Sequence, residues 1–195
     1  MRAANGWRWN MRSSLPCDGV SDWRLRLIAD SYQRLTGKPL IDLLPTPCRA
    51  WEGVETPGVL DATPKLTLPL QGGGSGGDAA LRRALWEAPF AIVAHGTEDD
   101  PVFFYGNRLA LRLFGMNFDE FIRLPSRLSA EPLAQEARIK LLEKVAQQGY
   151  VAGYSAMRIA KSGRRFMIDN ATVWNLLDER GAYHGQAAVF VERAI

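Results

Sequence analysis

The stretch near the end of the chain constrains the fold most. Between Tyr150 and Val191, three runs of strand-forming residues are separated by two tight turns, Lys161-Ser162-Gly163-Arg164 and Asp178-Glu179-Arg180-Gly181. The runs are 154–159, 165–177 and 183–191, and each turn holds a glycine where a positive φ is expected. Fully extended, the middle run would span roughly 40 Å. The pattern predicts a long, twisted antiparallel meander, with everything upstream packed against it.

Upstream, residues 1–20 read as a disordered basic tail. Residues 21–37 read as an N-terminal helix, capped by Ser21 or Asp22 and stopped by Gly37 and Pro39. Its apolar stripe is Trp23, Leu27, Ile28, Tyr32 and Leu35. That stripe needs a partner, either the chain's own sheet or the same helix of a second chain, which would make a homodimer through Trp23–Leu35. Residues 38–77 are a flexible connector, interrupted by prolines and ending in Gly72-Gly73-Gly74-Ser75-Gly76-Gly77; no phosphate-loop lysine follows.

The compact domain is expected over 78–195. A short helix at 78–86 precedes a strand at 90–94, a turn that includes His95, and a second strand at 102–105. Helices are predicted at 108–114, at 118–124 with Asn117 and Glu120 as a capping box, and at 133–148. The last is expected to turn Leu133, Ala137, Leu141, Leu142 and Val145 inward. Strands at both ends with helices between them predict an α+β fold. It is a single antiparallel five-stranded sheet with helices on one face, preceded by the amphipathic helix and the Pro/Gly-rich connector. The first and last strands are expected side by side at the centre, with the helical insert enclosing an apolar pocket.

Composition narrows the function. No apolar run in the 195 residues approaches the ~20 needed to span a bilayer, and the front lacks the apolar centre of a signal peptide. A cytoplasmic protein without a membrane partner is therefore expected. The two cysteines, Cys17 and Cys48, form neither a disulfide framework nor a thiolate metal site. The net charge is +3, and the basic excess lies within residues 1–50, on scattered rather than clustered arginines. That favours a solvated tail over a nucleic-acid partner.

No catalytic constellation emerges. His95 and His184 are lone turn histidines and make a poor metal set. Ser126 and Ser155 lie in no nucleophile motif, and Glu131 and Glu136 are spaced off a common helix face. The candidates for a pocket are Asn107, Tyr154, Trp174 and Asn175. Arg127 is a further candidate, for an anionic ligand or for a structural pair with Glu131. Strict alternation along 166–177 puts Phe166, Ile168, Thr172 and Trp174 on one face, and Met167, Asp169, Val173 and Asn175 on the other.

The order of elements resembles a PAS domain, and the local sequence resembles one branch of that fold, the MEKHLA domain, in its stand-alone bacterial type. The residues that carry this are Ala88-Pro89-Phe90, His95-Gly96, Tyr105-Gly106-Asn107 with Ala110-Leu111, and Leu124 through Glu131. They continue with Tyr154-Ser155, Arg158-Ile159, Gly163 through Phe166, Ala171 through Leu176, and Gly185 through Ala188. The front helix, with Asp30-Ser31-Tyr32, Leu35 and Gly37, resembles the segment that precedes the domain in bacterial members. The resemblance covers residues 79–192 and implies a PAS-like sensory or regulatory module that binds a small apolar or mixed ligand, a protein partner or itself. Plant members stand at the end of class III homeodomain-leucine zipper transcription factors, where the domain is held to control dimerisation; this chain shows no homeodomain and no zipper heptads. Haem-binding PAS relatives carry a histidine on the helix before the meander, and flavin-adduct relatives carry a cysteine inside the domain. This sequence has neither, so no cofactor is expected beyond an unidentified small ligand. The alternatives are an enzyme of unrecognised type using the same pocket, and a nucleic-acid-associated protein acting through the basic front.

Overall fold

The computed structural model describes residues 15–41, 75–130 and 132–193. The front of the expected tail and most of the expected connector lie outside the described residues, as does Cys48.

The meander is β3 (Tyr150–Ile159), β4 (Arg165–Leu177) and β5 (Tyr183–Arg193), and the earlier hairpin is β1 (Ala91–His95) with β2 (Phe103–Gly106). All neighbours pair antiparallel in the order β2-β1-β5-β4-β3, which puts the first and last strands together at the centre. The turn glycines Gly163 and Gly181 have φ of 83° and 79°. Gly185 has a different task. Its φ is 125°, and a Cβ there would lie 2.0 Å from the His95 carbonyl oxygen, where β5 passes tightly against the end of β1.

Between β2 and β3 lie α3 (Arg108–Phe114), α4 (Phe118–Phe121), a 3-10 turn at Ser126–Ser129 and α5 (Pro132–Gln148). The Asn107 side chain accepts from the Ala110 N–H to start α3, and Asn117 and Glu120 cap α4 reciprocally. These helices lie over one face of the sheet. Phe114, Phe121, Phe103 and Phe166 form an aromatic cluster there, with ring centroids 4.6–5.5 Å apart. Gly106 lets the Phe121 ring approach the strand; a Cβ there would meet the ring at 2.6 Å.

The front helix, α1 (Asp22–Thr36), covers the opposite face, so the sheet is clothed on both sides. Its stripe differs from the sequence expectation. Leu25, Leu27, Ile28, Ser31 and Tyr32 are buried, whereas Trp23 is 52% exposed. The stripe follows the geometry of the seat on the sheet, and Trp23 in the first turn overhangs it, edge-on to His184. The end of the expected disordered tail is also ordered. Pro16–Gly19 forms a 3-10 turn with Cys17 fully buried. The cause is Arg82, on α2 (Ser75–Glu87), which donates to the carbonyls of Cys17 and Val20 and to the Asp22 carboxylate.

Two further expectations are corrected. Alternation along β4 is broken by a bulge between Asp169 and Thr172, where Asn170 takes a φ of 48°. The extra residue reverses the faces, so Phe166 and Ile168 share their side with Val173, while Thr172 and Trp174 turn toward α1. On α5 the inward positions are Arg138, Leu141, Leu142 and Val145, and Ala137 is exposed. These four are spaced three, four and seven residues from the first, one helical stripe with a cation at its head.

Candidate functional site

Where α5 and the 3-10 turn cross the sheet they leave a cavity of about 50 Å³. Its apolar wall comes from Val93, Phe103, Phe114, Ile168, Val173 and Phe190, with Leu141 and Leu142 above. Its polar groups are His95, Ser129, Arg138, Arg158 and Gln186. The pocket is thus mixed rather than apolar. The volume is far below the ~300 Å³ at which drug-sized ligands are enclosed, so neither a flavin ring system nor a haem fits it as shaped.

Local structure explains each polar position. Arg158 sits opposite Phe166 across the β3–β4 ladder, on the face under the helices, and only 8% of its surface is exposed. Its Nη1 donates to the Met157 carbonyl at 3.2 Å, and its guanidinium carbon lies 5.8 Å from the Tyr154 ring centre. Arg138 reaches down from α5 and donates to Ser126 Oγ at 2.9 Å. Burial, and after it the charge of Arg158, holds the Arg138 pKa down to about 10; burial lowers that of Arg158 too. His95 ends β1 on the same face and is buried, not a surface turn residue. Its Nδ1 lies 2.9 Å from the Gly96 carbonyl, so that nitrogen carries the proton, and burial lowers its pKa.

None of the five sequence candidates lines this cavity. Asn107 is fully buried elsewhere, in four hydrogen bonds that join α3, β1 and the end of α2. Arg127 is half-exposed and paired with Asp100 at 3.0 Å; Glu131, the expected partner, lies outside the described residues. Trp174 faces α1; its indole N–H donates to Ser31 Oγ at 3.0 Å, and Tyr32 meets it edge-on at 4.9 Å. Asn175 supports the cavity roof from outside. It donates to the Val145 carbonyl at 3.0 Å and accepts from Gln186 Nε2 at 3.1 Å, tying the last turn of α5 to β4 and β5. Tyr154 stands beside the cavity, under Arg158. Sequence reasoning missed Arg138, Arg158, His95 and Gln186. For the two arginines a signal existed in the spacing: Arg158 is two and four residues beyond Ala156 and Tyr154 on one strand, and Arg138 is three and four residues before Leu141 and Leu142.

Among the described residues, no group of three or more histidine, cysteine, aspartate or glutamate side chains is placed to hold a metal ion. No described helix is long and apolar enough to cross a membrane.

Comparison with known proteins agrees with this architecture. The chain is 25% identical over 112 residues to the homeobox-leucine zipper protein HOX9 of Oryza sativa subsp. indica, and equally to that of subsp. japonica. The match spans 57% of this chain but only 13% of the rice proteins. Among solved structures, the PAS domain of a protein from Colwellia psychrerythraea superposes with a TM-score of 0.53 at 17% identity, over 59% of this chain and 95% of that one. A light-oxygen-voltage domain studied with a flavin analogue gives 0.50 at 19% identity, over 59% and 85%. At such identities the likeness is one of fold. Family membership rests on the sequence itself: the MEKHLA domain matches residues 67–194, and the chain belongs to the MEKHLA domain family.

Proposed function

We propose that this chain is a non-catalytic sensory module that takes a small ligand in the cavity between α5 and the sheet and passes its occupancy to a partner through α1. The carrying observation is the cavity itself: a space with an apolar wall and convergent hydrogen-bonding groups, inside a PAS-like sensory fold. A route to α1 is short. Val173 lines the cavity, and the next residue, Trp174, holds α1 on the other face.

Among the described residues the lining contains no carboxylate and no thiol, and its one hydroxyl, Ser129 Oγ, donates to the Ser126 carbonyl. That set lacks an activated nucleophile or an acid–base pair and favours binding over catalysis. For a partner, including a second copy, the apolar stripe of α1 is already spent on the chain's own sheet. What remains is the outer edge, where exposed Trp23 lies beside the Arg24 guanidinium, 5.5 Å from the ring centre.

The test is amide chemical-shift mapping with a small-fragment set. Shifts should concentrate at Ile168, Val173 and Ala188 and disappear in an Ala188→Leu variant that fills the cavity. Shifts that persist in a folded filled variant, or none at all in the wild type, would refute the reading.

A further inference from the structure

We propose that the cavity is an anion site, in which Arg138 and Arg158 bind the carboxylate of a small organic acid while its carbon chain lies against Ile168, Val173 and Phe190. This deepens the sensory reading and rests on it.

Several of the described arginines are matched to carboxylates: Arg26 to Asp78 at 2.5 Å, Arg82 to Asp22 at 2.5 Å, Arg127 to Asp100 at 3.0 Å and Arg164 to Glu192 at 2.7 Å. Others reach the outside and use rings or carbonyls, as Arg24 does over Phe104 and Arg34 at the Leu177 carbonyl. Arg138 and Arg158 are different. They come from α5 and β3, converge on one cavity, and have only neutral partners: the Ser126 hydroxyl, the Met157 carbonyl and the ring of Tyr154. Among the described residues no carboxylate lies within 4.0 Å of either. Asp100 reaches Arg138 only as a distant charge and is already engaged by Arg127.

Two like charges withdrawn from water without a counter-ion are costly, because the desolvation of each is uncompensated. Both stay protonated at neutral pH, since even a pKa of about 10 for Arg138 leaves it charged. A carboxylate between them restores the missing charge and accepts from the planar donor forks. The rest of the wall selects the remainder of the ligand. It is mostly apolar, and a cavity of about 50 Å³ admits a body of only a few atoms. At roughly 10–15 Å³ of such space for each enclosed water, there is room for about three to five water-sized groups, which points to acids of about two to four carbons rather than nucleotides. His95 and the amide oxygen of Gln186, whose Nε2 is held by Leu142 and Asn175, stand on the adjacent strands to take a second polar group of such an acid.

The test is calorimetric titration and thermal melting of the full chain with propionate, lactate and succinate. Sodium chloride at matched ionic strength, propionamide as the neutral isostere, and inorganic phosphate are compared alongside. One or more of the acids should bind saturably and raise Tm, with the amide and chloride inert. Arg138→Met and Arg158→Met should each weaken binding about ten- to hundredfold, while Arg127→Met leaves it unchanged. Both methionine variants should melt at or above the wild type in the absence of acid, which an ordinary core substitution does not do. If either fails to fold, Arg138→Lys or Arg158→Lys gives the readout; each keeps the charge, loses the fork and should bind more weakly than the wild type.

Equal binding of propionate and propionamide would overturn the anion site and leave the sensory reading standing. A response to phosphate alone would overturn the carboxylate assignment. If no probe, charged or neutral, responds in a folded protein, both readings fall. Acid binding that survives in both methionine variants would remove these two residues from the site.

Discussion

Asn107 spends its whole side chain on the fold. Oδ1 accepts from the N–H groups of Ile92 and Ala110 at 3.0 Å each, and Nδ2 donates to the carbonyls of Phe90 and Leu85 at 2.8 and 3.3 Å. Asn107→Ala would strand buried donors and acceptors on three elements, so urea denaturation should show a loss of about 3 kcal/mol. A loss below about 1 kcal/mol would mean that water replaces the amide. His95 gives a pH signature. Around it stand the Gly96 carbonyl, Arg138 and Glu98, yet burial dominates and its folded pKa lies below the ordinary 6.5. Below pH 6.5 the unfolded chain therefore binds a proton that the native state refuses, and stability falls as pH drops through that value. Thermal melts from pH 7.5 to 5.5 should show this decline, and His95→Gln should flatten it. Such residues were hard to read from sequence because default polarity misleads at both ends. Asn107 looks like a pocket polar group but is a cap, and Arg138 and Arg158 look like solvated charges but are half-buried and buried, respectively. Spacing alone sets both arginines on an apolar stripe, but only the tertiary packing shows that the stripe stays inward at a charged residue.

Elements with local causes were legible. The β4 limits 165–177 and the α3 limits 108–114 coincide with the sequence expectation, because turn glycines and caps mark them. The bulge at Asn170 was not legible, since it arises from how β4 pairs with both neighbours rather than from its own alternation. Its consequence is large. Without it Trp174 would face the cavity and α1 would lose its anchor. Trp174→Phe keeps most of the apolar surface but removes the bond to Ser31. It should cost about 1 kcal/mol and speed amide exchange in α1 more than in α5; uniform acceleration would contradict the anchoring role. At Gly185 the end of β1 leaves no room for a side chain on β5. Gly185→Ala combines a positive φ with a Cβ 2.0 Å from a backbone oxygen. It should cost at least about 3 kcal/mol or prevent folding, read by denaturant midpoint; a stable variant would show that β5 can shift away from His95.

At the scale of the molecule, a five-stranded sheet separates two compartments. On one side α3, the Ser126–Ser129 turn and α5 enclose the cavity; on the other α1 and the Pro16–Gly19 turn seal the sheet. The cavity roof is bound to β4 and β5 through Asn175 and Gln186, and the same β4 carries Trp174 under α1. Under the proposed reading, a ligand that moved the roof would act on the strand that holds the front helix. The physical content of the sensory reading is one cavity, one shared strand and one helix with an exposed aromatic edge. The most direct measurement is native mass spectrometry of the protein purified from its own host, under gentle and then denaturing conditions. The account predicts a small added mass in the gentle spectrum that departs on denaturation and is missing from the cavity-filled Ala188→Leu variant. A bare protein in the gentle spectrum, or an added mass retained by that folded variant, would contradict it.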